Sequence, residues 1–144
     1  MRFWIRNNGN LAMKITQALL DSLTEQAKAS PRLRINMDLR NSPDDQSQRM
    51  LNAIEPGSEI SIHRHQKSTE TVVCLRGKVV EEYYDELDRI CTEAIELTPN
   101  GPVVALNIPI GQWHKVRAVE SGTVILSSMD GAYEPMRDED VLSV

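Results

Sequence analysis

The period of the hydrophobic pattern changes once, near residue 33. Upstream of it, Leu19, Leu20, Leu23 and Ala27 recur at helical spacing. Thr16 is a residue type that caps helix N-termini and Pro31 one that stops helices, so a helix is predicted over residues 16–29. From Leu33 the period is two. Leu33, Ile35, Met37 and Leu39 alternate with Arg34, Asn36, Asp38 and Arg40, which gives a strand with one apolar and one polar face. Further strands are predicted over residues 49–55, 58–65, 70–76, 78–86, 89–97, 103–109, 113–119 and 123–129, with Gly- and Pro-containing turns such as Pro99-Asn100-Gly101-Pro102 between them. Many short strands behind a single helix indicate an all-β sandwich or barrel with one N-terminal amphipathic helix. Residues 1–12 fit no later pattern and are expected to be a leader or a segment upstream of a start at Met13. One domain is expected over 13–135, with a loosely packed acidic tail over 136–144.

Composition narrows the function. The chain has 144 residues and a net charge of −5 with no basic block, which argues against a nucleic-acid partner. No run has the length and apolar character of a membrane span or a signal peptide, so a cytoplasmic location is expected. Cys74 and Cys91 have neither metal-site spacing nor a disulfide framework; lying in strand-like runs, both are expected to be buried free thiols.

The candidate chemistry is concentrated between Gly57 and Gly77. His63 and His65 stand two residues apart, and on an extended strand such residues share a face. Glu70 has the opposite parity and joins them only if the polar run Gln66-Lys67-Ser68-Thr69 turns the chain. The third and last histidine of the chain, His114, follows a break at Gly111-Gln112, at the start of a strand. Three imidazoles and one carboxylate make a nitrogen–oxygen set suited to a divalent transition metal such as Zn, Fe, Mn or Ni, with positions left open in a six-coordinate ion.

These residues resemble the cupin motifs. Gly57, five residues, His63-x-His65, four residues, Glu70, six residues and Gly77 meet every fixed position of the first motif. Pro109-x-Gly111-x-x-His114 resembles the core of the second. There Gly101 lies two residues further from the proline than usual, and Ala118 stands where the family has an asparagine. Softer segments are similar to the WbuC-type family of cupin-fold metalloproteins: Ser30-Pro31-Arg32, Gln48-Arg49, Asn52-Ala53, Glu55-Pro56-Gly57, Trp113-His114 and Gly131-Ala132-Tyr133-Glu134-Pro135. The resemblance implies a double-stranded β-helix (jelly-roll) barrel, one divalent metal held by His63, His65, Glu70 and His114, and a link to surface-polysaccharide metabolism. It implies no particular reaction.

Arg34, Asn36, Arg49 and Asn52 are the candidate ligand-side residues, for a small polar ligand, anionic or sugar-like. Arg64, between the two histidines, is expected to face away from them, and Trp113 to serve packing. If His63 and His65 face inward, Ile60 and Ile62 face outward and need cover, which points to the helix or to a homodimer. Three functions stay open: a metal-dependent enzyme of isomerase or epimerase type, an Fe(II)-dependent dioxygenase, and a non-enzymatic metal- or sugar-binding module. No catalytic residue is assigned, and with every histidine in the metal set an acid or base must be Tyr, Glu or Lys.

Overall fold

The computed structural model describes residues 12–142. The proposed leader over 1–12 therefore lies almost wholly outside the described residues. Helix α1 (Gln17–Ala29) starts where expected: the Thr16 hydroxyl accepts a hydrogen bond from the Leu19 amide at 3.1 Å. Ten strands follow: β1 (Arg34–Asp38), β2 (Ser47–Ile54), β3 (Ile62–His63), β4 (Glu70–Arg76), β5 (Val79–Tyr84), β6 (Cys91–Leu97), β7 (Ala105–Ile108), β8 (Trp113–Ala118), β9 (Thr123–Asp130) and β10 (Val141–Leu142). They form two antiparallel sheets ordered β1-β2-β9-β4-β7 and β10-β3-β8-β5-β6. This is the all-β jelly-roll architecture with one N-terminal helix. No helix among the described residues is long and apolar enough to cross a membrane.

Two apolar cores follow from strand parity. Ile54, Val72, Cys74, Val79, Leu97, Ile108, Ala118 and Ile125 pack between the sheets. Leu20, Leu23 and Ala27 of α1 pack on Ile35, Leu51, Ala53 and Val124, the opposite face of the first sheet. The helix thus covers one sheet and leaves the space between the sheets to the site.

The structure corrects four expectations. The expected strand over 58–65 shrinks to two residues, because the Arg34 guanidinium donates to Ser58 Oγ and the Glu59 carbonyl and the Ser58 hydroxyl donates to the Arg32 carbonyl. Residues 58–59 are held against the entry to β1 instead of in a ladder. Ile60 consequently turns inward onto the inter-sheet core, and Ile62 is 1% exposed within a single chain. The argument for a second copy covering these isoleucines falls. The tail is not loose either: a 3₁₀ turn (Asp138–Asp140) leads into β10, which pairs with β3. Finally, Cys74 is buried as expected, whereas Cys91 is exposed at the start of the edge strand β6.

Candidate metal centre

Four side chains from three strands and a turn meet at one end of the inter-sheet space. His63 on β3 and His114 on β8 are paired across the ladder. His65 lies just past β3, and the chain bends over residues 66–68 before Glu70 opens β4, which is the turn that the opposite parity of Glu70 requires. Gly111, with φ +80, supplies the break before β8, and its amide donates to the His65 carbonyl at 2.8 Å. One donor atom from each of His63, His65, Glu70 and His114 lies within 4.8 Å of all the others.

Hydrogen bonds around the cluster fix which atoms are offered. Nδ1 of His63 lies 2.8 Å from the Ser61 carbonyl, and Nδ1 of His114 lies 2.8 Å from the Gln112 carbonyl. A carbonyl only accepts, so both Nδ1 atoms carry protons, and whenever either ring is neutral its Nε2 turns a lone pair on the cluster. His114 Nε2 is 3.1 Å from Glu70 Oε1. A lone pair facing a carboxylate is repulsive unless a proton or a cation lies between them. His65 Nε2 is buried without a hydrogen-bond partner; it stands 3.5 Å from the same carboxylate oxygen, outside hydrogen-bond geometry. Glu70 is steadied on its other side by the Ser127 hydroxyl, which donates to Oε2.

The protonation equilibria describe the same demand for positive charge. Burial pushes the Glu70 carboxyl up, but the hydrogen bond from His114, with His65 beside it, more than reverses this and holds it well below the usual carboxylate range. Burial pulls His114 down, and the contact with Glu70 outweighs it. His63 is lowered to about 4, by burial first and then by the charge of His114. Lone-pair donors around a buried carboxylate, one of them without a partner, fit a divalent cation.

The cluster forms part of the wall of a cavity of about 1100 Å³. Arg34, Asn36 and Asn52 line it, and Asn36 and Asn52 are register partners on β1 and β2. Arg49 does not line it. It lies three residues from Asn52 and so on the other face of β2, where its guanidinium binds the Ser47 and Leu39 carbonyls and Asp45. Arg64 points away from the cluster as expected: it stacks over the Trp113 ring at 4.6 Å and donates to Asp140 Oδ1 at 3.0 Å. Trp113 is 5% exposed and is a packing residue.

Two features of the site were absent from the sequence reading. One is Glu81, 2% exposed in the cavity wall, whose carboxyl is pushed up to about 8 by burial and then by the charge of Glu70. The other is the strap of residues 131–140 along the cavity wall, anchored where Arg64 and Gln66 both donate to Asp140 and where Lys67 pairs with Glu134.

Residues 15–96 match the family described as a domain of unknown function, DUF6016. The chain belongs to the DUF6016 family. No curated protein matches it. Among solved structures, this DUF6016 protein is similar to KdgF from Halomonas sp., with 17% identity over 76% of this chain and 86% of that one and a TM-score of 0.55. It is also similar to a cupin 2 domain-containing protein from Halorhodospira halophila, with 19% identity, 72% and 68% coverage and a TM-score of 0.57. An oxalate oxidase in complex with the substrate analogue glycolate gives 15% identity, 76% and 56% coverage and a TM-score of 0.59. At these identities the likeness carries the fold alone. The DUF6016 chain has a cupin fold, and its cluster of three histidines and one glutamate fits a metal-binding cupin.

Proposed function

We propose that this DUF6016 protein holds one divalent transition ion through His63, His65, Glu70 and His114 and binds a small polar ligand beside it. The observation that carries the reading is the contact between His114 Nε2 and Glu70 Oε1 at 3.1 Å, with His114 Nδ1 already committed to the Gln112 carbonyl. The unpartnered Nε2 of His65 supports it. A divalent ion held there supplies Lewis acidity toward an oxygen ligand. The chain's own residues supply the rest. Ser127 orients the carboxylate, the Ser61 and Gln112 carbonyls set the ring tautomers, and the two sheets and the strap wall the cavity. Asn36 and Asn52 offer amide donors and acceptors from the opposite wall, and Arg34 adds a guanidinium already braced on Ser58 and Glu59. Such a wall suits a hydroxyl- or carbonyl-bearing ligand. The similarity of the softer segments to the WbuC-type family supports a sugar-linked one.

Elemental analysis of protein purified from unsupplemented cells tests the assignment. Wild type is expected to carry about one metal per chain, and His63→Ala or His114→Ala far less. Unchanged stoichiometry in either variant overturns it.

A further inference from the structure

The cavity contains a carboxyl group that the four-residue cluster does not use. Glu81 lies on β5, which pairs with β8 in the register Glu81↔Val116 and Tyr83↔His114. His114 and Val116 are successive residues on one face of β8, so Glu81 stands on the neighbouring strand one step further along the wall than His114. Both line the same cavity. Diagonal neighbours of this kind have Cβ atoms about 7 Å apart, a span that a ligand of a few heavy atoms bridges.

Glu81 has no structural employment among the described residues. Its Oε2 is buried without a hydrogen-bond partner, and the side chain makes no ion pair. Val116 and Ile125 of the same wall are apolar. A carboxyl in such a place is costly as an anion, and a hydrocarbon of the same size would be more stable there. With its carboxyl pushed up to about 8, it carries its proton at neutral pH and presents a donor. Other carboxylates of the wall have such partners: Glu70 has His114 and Ser127, Asp140 has Arg64 and Gln66, and Glu134 has Lys67.

Resting on the metal-binding reading above, we propose that Glu81 is a ligand-binding acid: it donates a hydrogen bond to the far oxygen of a chelating hydroxy acid or hydroxy-carbonyl compound whose near oxygens face His63, His65, Glu70 and His114. The cluster sets one end of the ligand and Glu81 the other. The ligand class is then one with two adjacent oxygens and an acceptor oxygen beyond them.

The probe is L-lactate, added to the full chain loaded with Co(II) and followed by the visible Co(II) absorption, with Glu81→Gln and Glu81→Leu as variants. Co(II) is expected at about one per chain in all three. Lactate affinity is expected to fall at least ~10-fold in E81L and to stay within ~3-fold in E81Q, which keeps a donor at the same place. In the wild type, the infrared band of the protonated carboxyl, absent in E81Q, is expected to shift when lactate binds. A purely structural Glu81 would leave that band unmoved, so this reading holds even if E81L fails to fold. An unmoved band, lactate binding by E81L equal to wild type, no lactate binding by Co(II)-loaded wild type, or loss of Co(II) from E81Q each overturns the proposal. A wild type that takes up no Co(II) overturns instead the metal reading on which the proposal rests.

Discussion

Glu81→Gln in metal-free protein should raise stability, and only on one side of a pH window. The Glu81 carboxyl has an ordinary value of 4.5 when the chain is unfolded and about 8 when it is buried. Because the folded value is the higher one, the folded state binds the proton more tightly. The wild type therefore keeps its full stability below pH 4.5 and loses it as pH rises toward 8, at about 1.4 kcal/mol per pH unit. Between pH 5 and 7.5 that amounts to about 3 kcal/mol. Glutamine is nearly isosteric and does not titrate, so the substitution removes this slope and little else. The assay is urea unfolding of EDTA-treated wild type and E81Q at half-unit steps from pH 5 to 8. With an m-value of about 2 kcal/mol/M, the gap between the two midpoints should widen by about 1.5 M between pH 5 and 7.5. Titrating groups without electrostatic contact with Glu81 are common to both proteins and cancel in the difference, which leaves Glu81 and its coupling to Glu70 and His114. A gap that stays constant with pH, or that widens in favour of wild type, refutes the claim that Glu81 is buried as a neutral acid.

Three further outcomes follow from individual contacts. Gly77→Ala should destabilise by at least ~3 kcal/mol in the same urea assay, since Gly77 has φ +82 and an added Cβ would lie 2.7 Å from the Thr123 Cα and nearer still to its hydroxyl; a loss under ~1 kcal/mol would show that this turn relaxes. Arg64→Ala should free the strap without unfolding the barrel, because Arg64 binds Asp140 at 3.0 Å with both groups partly exposed. Amide exchange over residues 138–142 should rise about 5-fold, the equivalent of ~1 kcal/mol, and unchanged protection there would remove Arg64 as the anchor. Arg49→Ala should leave lactate affinity of the Co(II)-loaded protein unchanged while Asn52→Ala weakens it, since Asn52 lines the cavity and Arg49 is turned to Asp45 and Leu39; a ligand effect at Arg49 would contradict the register of β2.

The metal cluster was legible because its spacing carries geometry. His63 and His65 share a face by parity, the bend before Glu70 is required by parity, and His114 was the one histidine left. Arg49 reads in the sequence as a ligand-side partner of Asn52, although a residue three places from Asn52 on a strand faces the other way, where the structure has it on Leu39 and Asp45. Glu81 was not legible. Strand β5 reads Val79-Val80-Glu81-Glu82-Tyr83-Tyr84, so each face presents the same three residue types in the same order. Alternation alone cannot say which glutamate is inside. The ladder decides it: Glu82 sits opposite Lys115 and binds Arg117 on the outer surface, while Glu81 sits opposite Val116 in the wall.

The dependence of the site on distant segments has the same origin. Strand β3 is two residues long, and its ladder to β8 rests on the single pair His63↔His114. Backbone pairing that sparse does not fix two imidazoles to the tolerance a metal site needs. The histidine-bearing segment is instead held from both ends of the domain. Arg34 grips residues 58 and 59, the Gly111 amide grips His65, Arg64 and Gln66 grip Asp140, and the Asp130 amide donates to the Ser68 hydroxyl at 2.9 Å. Each of these locks joins residues far apart in sequence, at least three of them made by side chains that a periodicity argument assigns to solvent. Patterning therefore marks where the ligands are, whereas the C-terminal strap and the braced Arg34 determine whether they converge.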